Sequence, residues 1–230
     1  MIYTIIISHK QQQYIDVFSR QFIGHNSLKD RVVVFVFDAL NQDDMDAMSQ
    51  HPEFEMITVV GEGNRSKNRN AGLSYIRRKY NISDDDVIEF YDGDRFPIRY
   101  AQPTMNNTDV LLYTCENDKR LRKLIPGLVS TNTLCNPFYS CGFAIKYSAI
   151  KHIEEINNGN LFNEEFLGWG CEDQYLGLQC AKLDLNVVLT TDTVLSGSVG
   201  GDELTHDNYG ETLQQYVNIT IKNGFFPKMN

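Results

Sequence analysis

The sequence predicts an α/β protein with a mostly parallel central sheet flanked by helices, and three observations predict it. Short apolar runs at residues 2–7, 32–37, 54–60 and 87–91 alternate with segments of helical character. The first run, residues 2–7, reads as a strand buried on both faces. Polar or glycine-rich residues follow these runs, at the carboxyl ends of the strands, where open parallel sheets bind their ligands.

Each element follows in order. Residues 2–7 form a first strand; the run is too short, and lacks the basic flank, for a signal peptide. Residues 11–22 place Tyr14, Ile15, Phe18 and Phe22 at helical spacing. The second strand, 32–37, ends at Asp38, and Asn41 then caps a short polar helix running to about residue 50. The third strand, 54–60, leads into GEGNRSKNRNAG and a helix over 67–80, apolar at Ala71, Leu73, Tyr75 and Ile76. The fourth strand, 87–91, ends in Asp92-Gly93-Asp94. Beyond it, 110–114 and 139–145 read as strands, 148–156 as a helix, 171–183 as a helix and 187–189 as a strand. Residues 116–137 read as a loop with a basic cluster, KRLRK at 119–123, and from Ser196 the chain is polar and glycine-rich. No repeat or linker divides it. One domain is expected over 1–230, with a nucleotide-binding half (1–97) and an acceptor-binding half (98–230).

Composition narrows the function. A chain of 230 residues, 42% hydrophobic and 22% charged, can bury a large core. Its net charge of -9 argues against grip on a nucleic-acid backbone. The five cysteines form no CxxC pair and indicate free thiols in a reducing compartment. No apolar stretch reaches the roughly 18 residues of a membrane span, and a cytoplasmic location is expected.

Three constellations carry chemistry. In Asp92-Gly93-Asp94, two carboxylates on a tight turn repel unless a positive group sits between them, and hard oxygen donors suit Mn²⁺ or Mg²⁺ held against a diphosphate. In GNRSKNRNAG, Arg65, Lys67 and Arg69 cluster at a helix start, where free N–H groups and the helix dipole attract phosphate. In FNEEFLGWGCED, the single Trp169 stands beside Glu172 and Asp173. A flat ring covers the C–H face of a sugar, and a carboxylate serves as general base to a hydroxyl.

Together these residues resemble a GT-A-fold glycosyltransferase, with a Rossmann-like, mostly parallel sheet. The strand-terminal Asp-x-Asp, Arg69-Asn70-Ala71-Gly72 and Gly168-Trp169-Gly170-Cys171-Glu172-Asp173 stand in the expected order. The last motif is similar to that of β1,4-galactosyltransferases and polypeptide N-acetylgalactosaminyltransferases, with related forms in chondroitin-type polymerases. Cys171 stands where glycine is common, and Gln174 where a further acid is common. Family members of secretory compartments carry an anchor and often use disulfides, neither of which is expected here; the short length suggests a minimal bacterial or viral enzyme acting in a bacterial or virus-infected cytoplasm.

The resemblance implies metal-dependent, inverting transfer from a UDP-sugar, of galactose or N-acetylgalactosamine type, to an acceptor hydroxyl. It implies Asp94 as metal ligand, with Asp92 on the metal or the ribose and His206 as a late third ligand. Ser8 and Asp38 would line the nucleotide pocket, Arg65 would face the diphosphate, Arg69 would approach the diphosphate or order the Asp-x-Asp loop, and Trp169 would form the sugar platform. Glu172 and Asp173 would bind hydroxyls, Asp173 as base. The glycine-rich segment at 196–201 would close over the bound donor. The acceptor stays open among glycan, protein, lipid-linked sugar and modified nucleotide base. Two other classes stay open: a nucleotidyltransferase that makes nucleotide-sugars, and a non-catalytic sugar-binding module. Ser8-His9-Lys10 lacks the glycines expected of the first of these.

Overall fold

The computed structural model describes residues 1–8, 15–24, 30–38, 40–60, 63–116, 142–167, 171–196 and 209–225. The strands are β1 (Ile2–Ser8), β2 (Arg31–Asp38), β3 (Glu55–Val59), β4 (Val87–Asp92), β5 (Pro97–Arg99), β6 (Val110–Cys115), β7 (Gly142–Lys146) and β8 (Val187–Leu195). The helices are α1 (Ile15–Gly24), α2 (Gln42–Ser49), α3 (Arg65–Lys79), α4 (Tyr147–Ile156), α5 (Glu172–Lys182) and α6 (Tyr209–Lys222). All eight strands join one sheet in the order β3-β2-β1-β4-β7-β6-β8-β5.

The four strands of the first half are mutually parallel. β7 enters reversed, antiparallel to both β4 and β6, while β6 and β8 pair in parallel and β5 closes the edge antiparallel to β8. An apolar run states that a strand is buried, not which way it points, so the reversal of β7 has no signature of its own.

Alternation along each strand sorts the core onto two faces. Ile5, Ile7, Val34, Val36, Ile88 and Phe90 lie with Leu73 and Ile76 of α3, Ile150 of α4 and Leu176 of α5. Ile6, Val33, Phe35, Phe37 and Tyr91 lie on the other face, with Ile15, Phe18 and Phe22 of α1. Asn41 caps α2 through a reciprocal pair with Asp44, as its position predicts.

Some elements differ from the sequence reading. β8 runs to Leu195, well past residue 189, because the polar stretch from Thr190 to Thr193 interrupts the apolar pattern of a strand that is only partly buried. β5 is a three-residue edge strand that begins at Pro97, a position where the missing N–H costs little. The polar tail contains α6, held by apolar contact of Tyr216 and Ile219 with Phe166 and Tyr175. Helix α1 is described from Ile15. Most of the expected 116–137 loop, with its KRLRK cluster, lies outside the described residues. Among the described residues no helix is long and apolar enough to cross a membrane.

Gly72 sets how closely α3 lies on the sheet. A Cβ there would stand 2.6 Å from Ile5 Cγ2 and 3.0 Å from Val36 Cγ2. Gly72→Ala is therefore expected to destabilise by about 1–3 kcal/mol through overpacking, although alanine is the better helix former. Chemical denaturation checks this: an unchanged or higher midpoint would mean that Ile5 moves aside freely.

Candidate active site at the carboxyl ends of the strands

The register brings three predicted residues to one end of the sheet. Ser8 ends β1, Asp38 ends β2 and Asp92 ends β4; Ile7 pairs with Asp92 and Ser8 with Phe37. With strand order β3-β2-β1-β4, the connection reverses direction between β1 and β4, which is where such sheets open a crevice. Gly93 N–H donates to Ile7 O at 2.8 Å, pinning the Asp92-Gly93-Asp94 turn to the end of β1. Ser196, just past β8, ties the same turn through its N–H to Phe96 O at 2.8 Å and its hydroxyl to Asp94 O at 3.4 Å.

The start of α3 is unusual for a surface helix, because Ser66, Asn68, Arg69 and Asn70 are all buried. Asn64 caps it by accepting from Lys67 N–H at 2.9 Å. The Asp38 carboxylate accepts from Gly63 N–H at 2.7 Å and from Asn68 Nδ2 at 3.2 Å, so it holds the loop that enters the helix. Arg69 is 2% exposed. Its Nη2 donates to Asp92 Oδ1 at 2.7 Å and its Nη1 to Glu172 Oε1 at 2.8 Å, over the Phe162 ring at 5.1 Å. Burial opposes its charge, but Asp92 and then Glu172 outweigh burial and raise its pKa above the ordinary value. Arg65 Nη1 reaches the other Asp92 oxygen at 3.3 Å. The positive groups demanded by the acidic turn are thus, on the Asp92 side, two arginines.

Asp94 is placed differently. Burial, then Asp92, hold its carboxyl above the usual carboxylate range, while Arg95 and Arg65 pull it down only through space. It forms no ion pair with a described residue.

The second half reaches this site through α3. Asn70 Nδ2 donates to Phe162 O at 2.8 Å and Glu164 Oε1 at 2.9 Å, and its Oδ1 accepts from Phe162 N–H at 3.1 Å. Asn64 Nδ2 adds a bond to Glu164 O at 3.1 Å. On the far side, α6 holds the same segment through Gln215, which donates to Glu165 O at 2.6 Å and accepts from Leu167 N–H at 3.3 Å. The clamped segment delivers Glu172 and Asp173 at the first turn of α5. Glu172 is 3% exposed; Asp173 is partly open and accepts from Gln174 N–H at 2.7 Å. Cys171 precedes them at φ 68°, a left-handed conformation that favours glycine, which gives the physical sense of the residue common at that position. Burial, then Asp173 and Glu172, push its thiol up to about 11, so it is an inert group here.

The site therefore assembles Ser8, Asp38, Arg65, Arg69, Asp92, Asp94, Glu172 and Asp173. Trp169 and His206 lie outside the described residues. Among the described residues no three acidic, cysteine or histidine side chains form a ready metal cage. A hard cation that takes one or two carboxylates and completes its shell with water and phosphate fits Asp94. Ser8 Oγ and Asn68 Oδ1 are buried polar atoms without a hydrogen-bond partner among the described residues, beside the Asp38 and Asp92 strand ends. Sequence reasoning missed Asn64 and Asn70 as organisers of the site. Their signal was an asparagine at a helix cap and a second amide on a buried helix face.

No family model matches the chain, and no curated protein matches it in sequence. Solved structures do match in shape. A mannosyltransferase from Pyrobaculum calidifontis, in complex with GDP-Man and Mn²⁺, aligns with TM-score 0.66 at 14% identity, over 98% of this chain and 65% of that one. GalNAc-T7 with UDP, GalNAc and Mn²⁺ aligns with TM-score 0.65 at 12% identity, over 96% of this chain and 47% of that one. Glucosyl-3-phosphoglycerate synthase from Mycobacterium tuberculosis, with Mn²⁺, UDP and glucosyl-3-phosphoglycerate, aligns with TM-score 0.59 at 11% identity, over 99% and 81%. The chain thus spans 65% and 47% of the first two proteins. The architecture it shares with them is the GT-A fold, and that is the fold of this chain.

Proposed function

We propose that the chain is a metal-dependent glycosyltransferase, a single domain over 1–230, that moves a sugar from a nucleoside-diphosphate donor to an acceptor hydroxyl with inversion. One observation carries the reading: the strand-terminal acid Asp92 and the α5 acid Glu172, distant in sequence, meet on one buried guanidinium beside Asp94, which has no ion-pair partner among the described residues. Donor complexes of the structural neighbours, with Mn²⁺ and UDP or GDP-Man, support the donor class. The motif resemblance favours a UDP-sugar of galactose or N-acetylgalactosamine type.

In this reading Ser8 and Asp38 line the base and ribose end, and Arg65 faces the diphosphate. Asp94, with Asp92 behind it and His206 as a further ligand, holds Mn²⁺ or Mg²⁺. A bound cation of this kind neutralises charge on the departing nucleoside diphosphate. Glu172, fixed by Arg69, orients a sugar hydroxyl against Trp169. Asp173, the more open of the two acids, takes the proton of the attacking acceptor hydroxyl. The acceptor is a glycan, a protein, a lipid-linked sugar or a modified nucleotide base, in a cytoplasmic setting.

The test is release of nucleoside diphosphate from a panel of UDP- and GDP-sugars with Mn²⁺, Mg²⁺ or EDTA, followed by transfer to the acceptor classes above. Metal-dependent release from one donor is the expected result. Asp173→Asn should retain donor binding and lose about 10²–10⁴ in transfer rate. No metal-dependent release from any donor would sink the reading, and full transfer by Asp173→Asn would remove Asp173 as base.

A further inference from the structure

We infer that Arg69 is a positioning residue that couples the cation end of the site to the acid pair of α5, an inference that rests on the transferase reading. Its planar guanidinium holds two carboxylates at once, Asp92 Oδ1 at 2.7 Å and Glu172 Oε1 at 2.8 Å. Among the described residues, the ion pairs that join β4 to α5 both run through it. The side chain is 2% exposed, so it does not offer its charge to a ligand in solution. It acts instead through the two acids.

The physical basis is one cation shared by two anions in a rigid fork. A carboxylate that gives up part of its interaction with Arg69 leaves more of that charge for the other. Asp92 has a second partner in Arg65 at 3.3 Å, so it can be rebalanced without being stranded. Glu172 has Arg69 alone as ion-pair partner among the described residues. Phe162, beneath the guanidinium at 5.1 Å, is itself locked to α3 by Asn70 on both its N–H and its C=O. The floor is therefore fixed, and a change at Asp92 is transmitted to Glu172 through the guanidinium rather than absorbed by the loop. Binding at Asp92 and Asp94 thereby alters how firmly Glu172 is held, and so orders the two halves of the site.

The experiment is a double-mutant cycle read by calorimetric titration of UDP, and separately GDP, in the presence of Mn²⁺. Neither nucleotide carries the transferred sugar, so the hydroxyl that Glu172 is proposed to orient is absent. Glu172→Gln alone should shift the affinity for the Mn²⁺–nucleotide pair by about fivefold or more. In an Arg69→Lys background, which keeps the charge but loses the fork, the same substitution should shift it by less than about twofold. Equal shifts in the two backgrounds, or none in either, would overturn the inference and leave Arg69 as a packing brace. A second cycle, Asp92→Asn against Glu172→Gln in the unfolding stability of the ligand-free protein, decides the matter should Arg69→Lys not fold: non-additive losses support the coupling and additive losses overturn it. Wild-type protein that binds neither nucleotide with Mn²⁺ sinks the transferase reading, and the ligand-free cycle then still separates a coupling guanidinium from a brace.

Discussion

Asp94→Asn should lower metal-dependent nucleotide release by at least about a thousandfold, roughly 4 kcal/mol of transition-state stabilisation, while leaving the fold intact. Asp94 is the acid of the turn that no described arginine contacts, so its carboxylate is the one left to a cation. The same isolation has a signed effect on stability. Burial, followed by Asp92, raises the Asp94 carboxyl above its ordinary value. An acid with a raised native pKa favours the fold while protonated, and that contribution is lost as pH rises through the native pKa. At neutral pH the ionised Asp94 is therefore a cost in the metal-free protein, and Asp94→Asn should melt no lower than wild type. Mn²⁺ with UDP should raise the melting temperature of wild type and not of the variant. A variant that melts well below wild type, or that keeps its nucleotide release, would show Asp94 to be a structural acid.

Arg31→Met should cost about 3–5 kcal/mol of stability, because it strands a buried carboxylate. Arg31 and Glu89 pair inside the sheet with side chains that are 0% exposed. Glu89 also accepts from Thr4 Oγ1 at 2.9 Å and from the hydroxyls of Tyr91 and Tyr113, while Arg31 lies 4.7 Å from the Phe22 ring and 4.9 Å from the Tyr100 ring. Both tyrosine hydroxyls are raised well above their ordinary range, by burial first and then by Glu89, which keeps them neutral donors. The double variant Arg31→Met/Glu89→Met should recover most of the loss, since two apolar side chains leave no unpaired charge. Urea denaturation of the three variants checks it. A double variant as unstable as Arg31→Met would mean that the tyrosine hydroxyls and Thr4, orphaned by the loss of Glu89, cost as much as the stranded charge.

Much of the candidate site was legible because its residues stand where a strand or helix begins or ends. Asp38 and Asp92 close apolar strands, Arg65 and Arg69 stand near a helix start, and Glu172 and Asp173 open another helix. What the chain did not disclose was pairing. Arg69 reads as one of three alternating basic residues at a helix start, and although Arg69-Asn70-Ala71-Gly72 marks it as a motif residue, nothing in GNRSKNRNAG says which acids it holds. Its burial and its hold on two acids come from Asp92, Glu172 and Phe162, which reach it from β4, α5 and the segment before α5. The buried Arg31–Glu89 pair was equally hidden, because a charged residue within or beside an apolar strand names no partner.

The sequence by itself determined the alternating strands and helices of the first half, the cap of α2, and the strand ends at which chemistry is placed. These are local matters, set by the period of apolar residues and by side chains that satisfy backbone groups one turn away. Only the tertiary structure decided the reversed β7, the long polar β8, the docking of α6 on the 163–167 segment, and the separation of Asp92, bound by arginines, from Asp94, which pairs with no arginine among the described residues. Those outcomes depend on which remote surface a segment meets. A carboxylate's partner is chosen by charge and distance in three dimensions, and the spacing of residues along the chain carries no record of it.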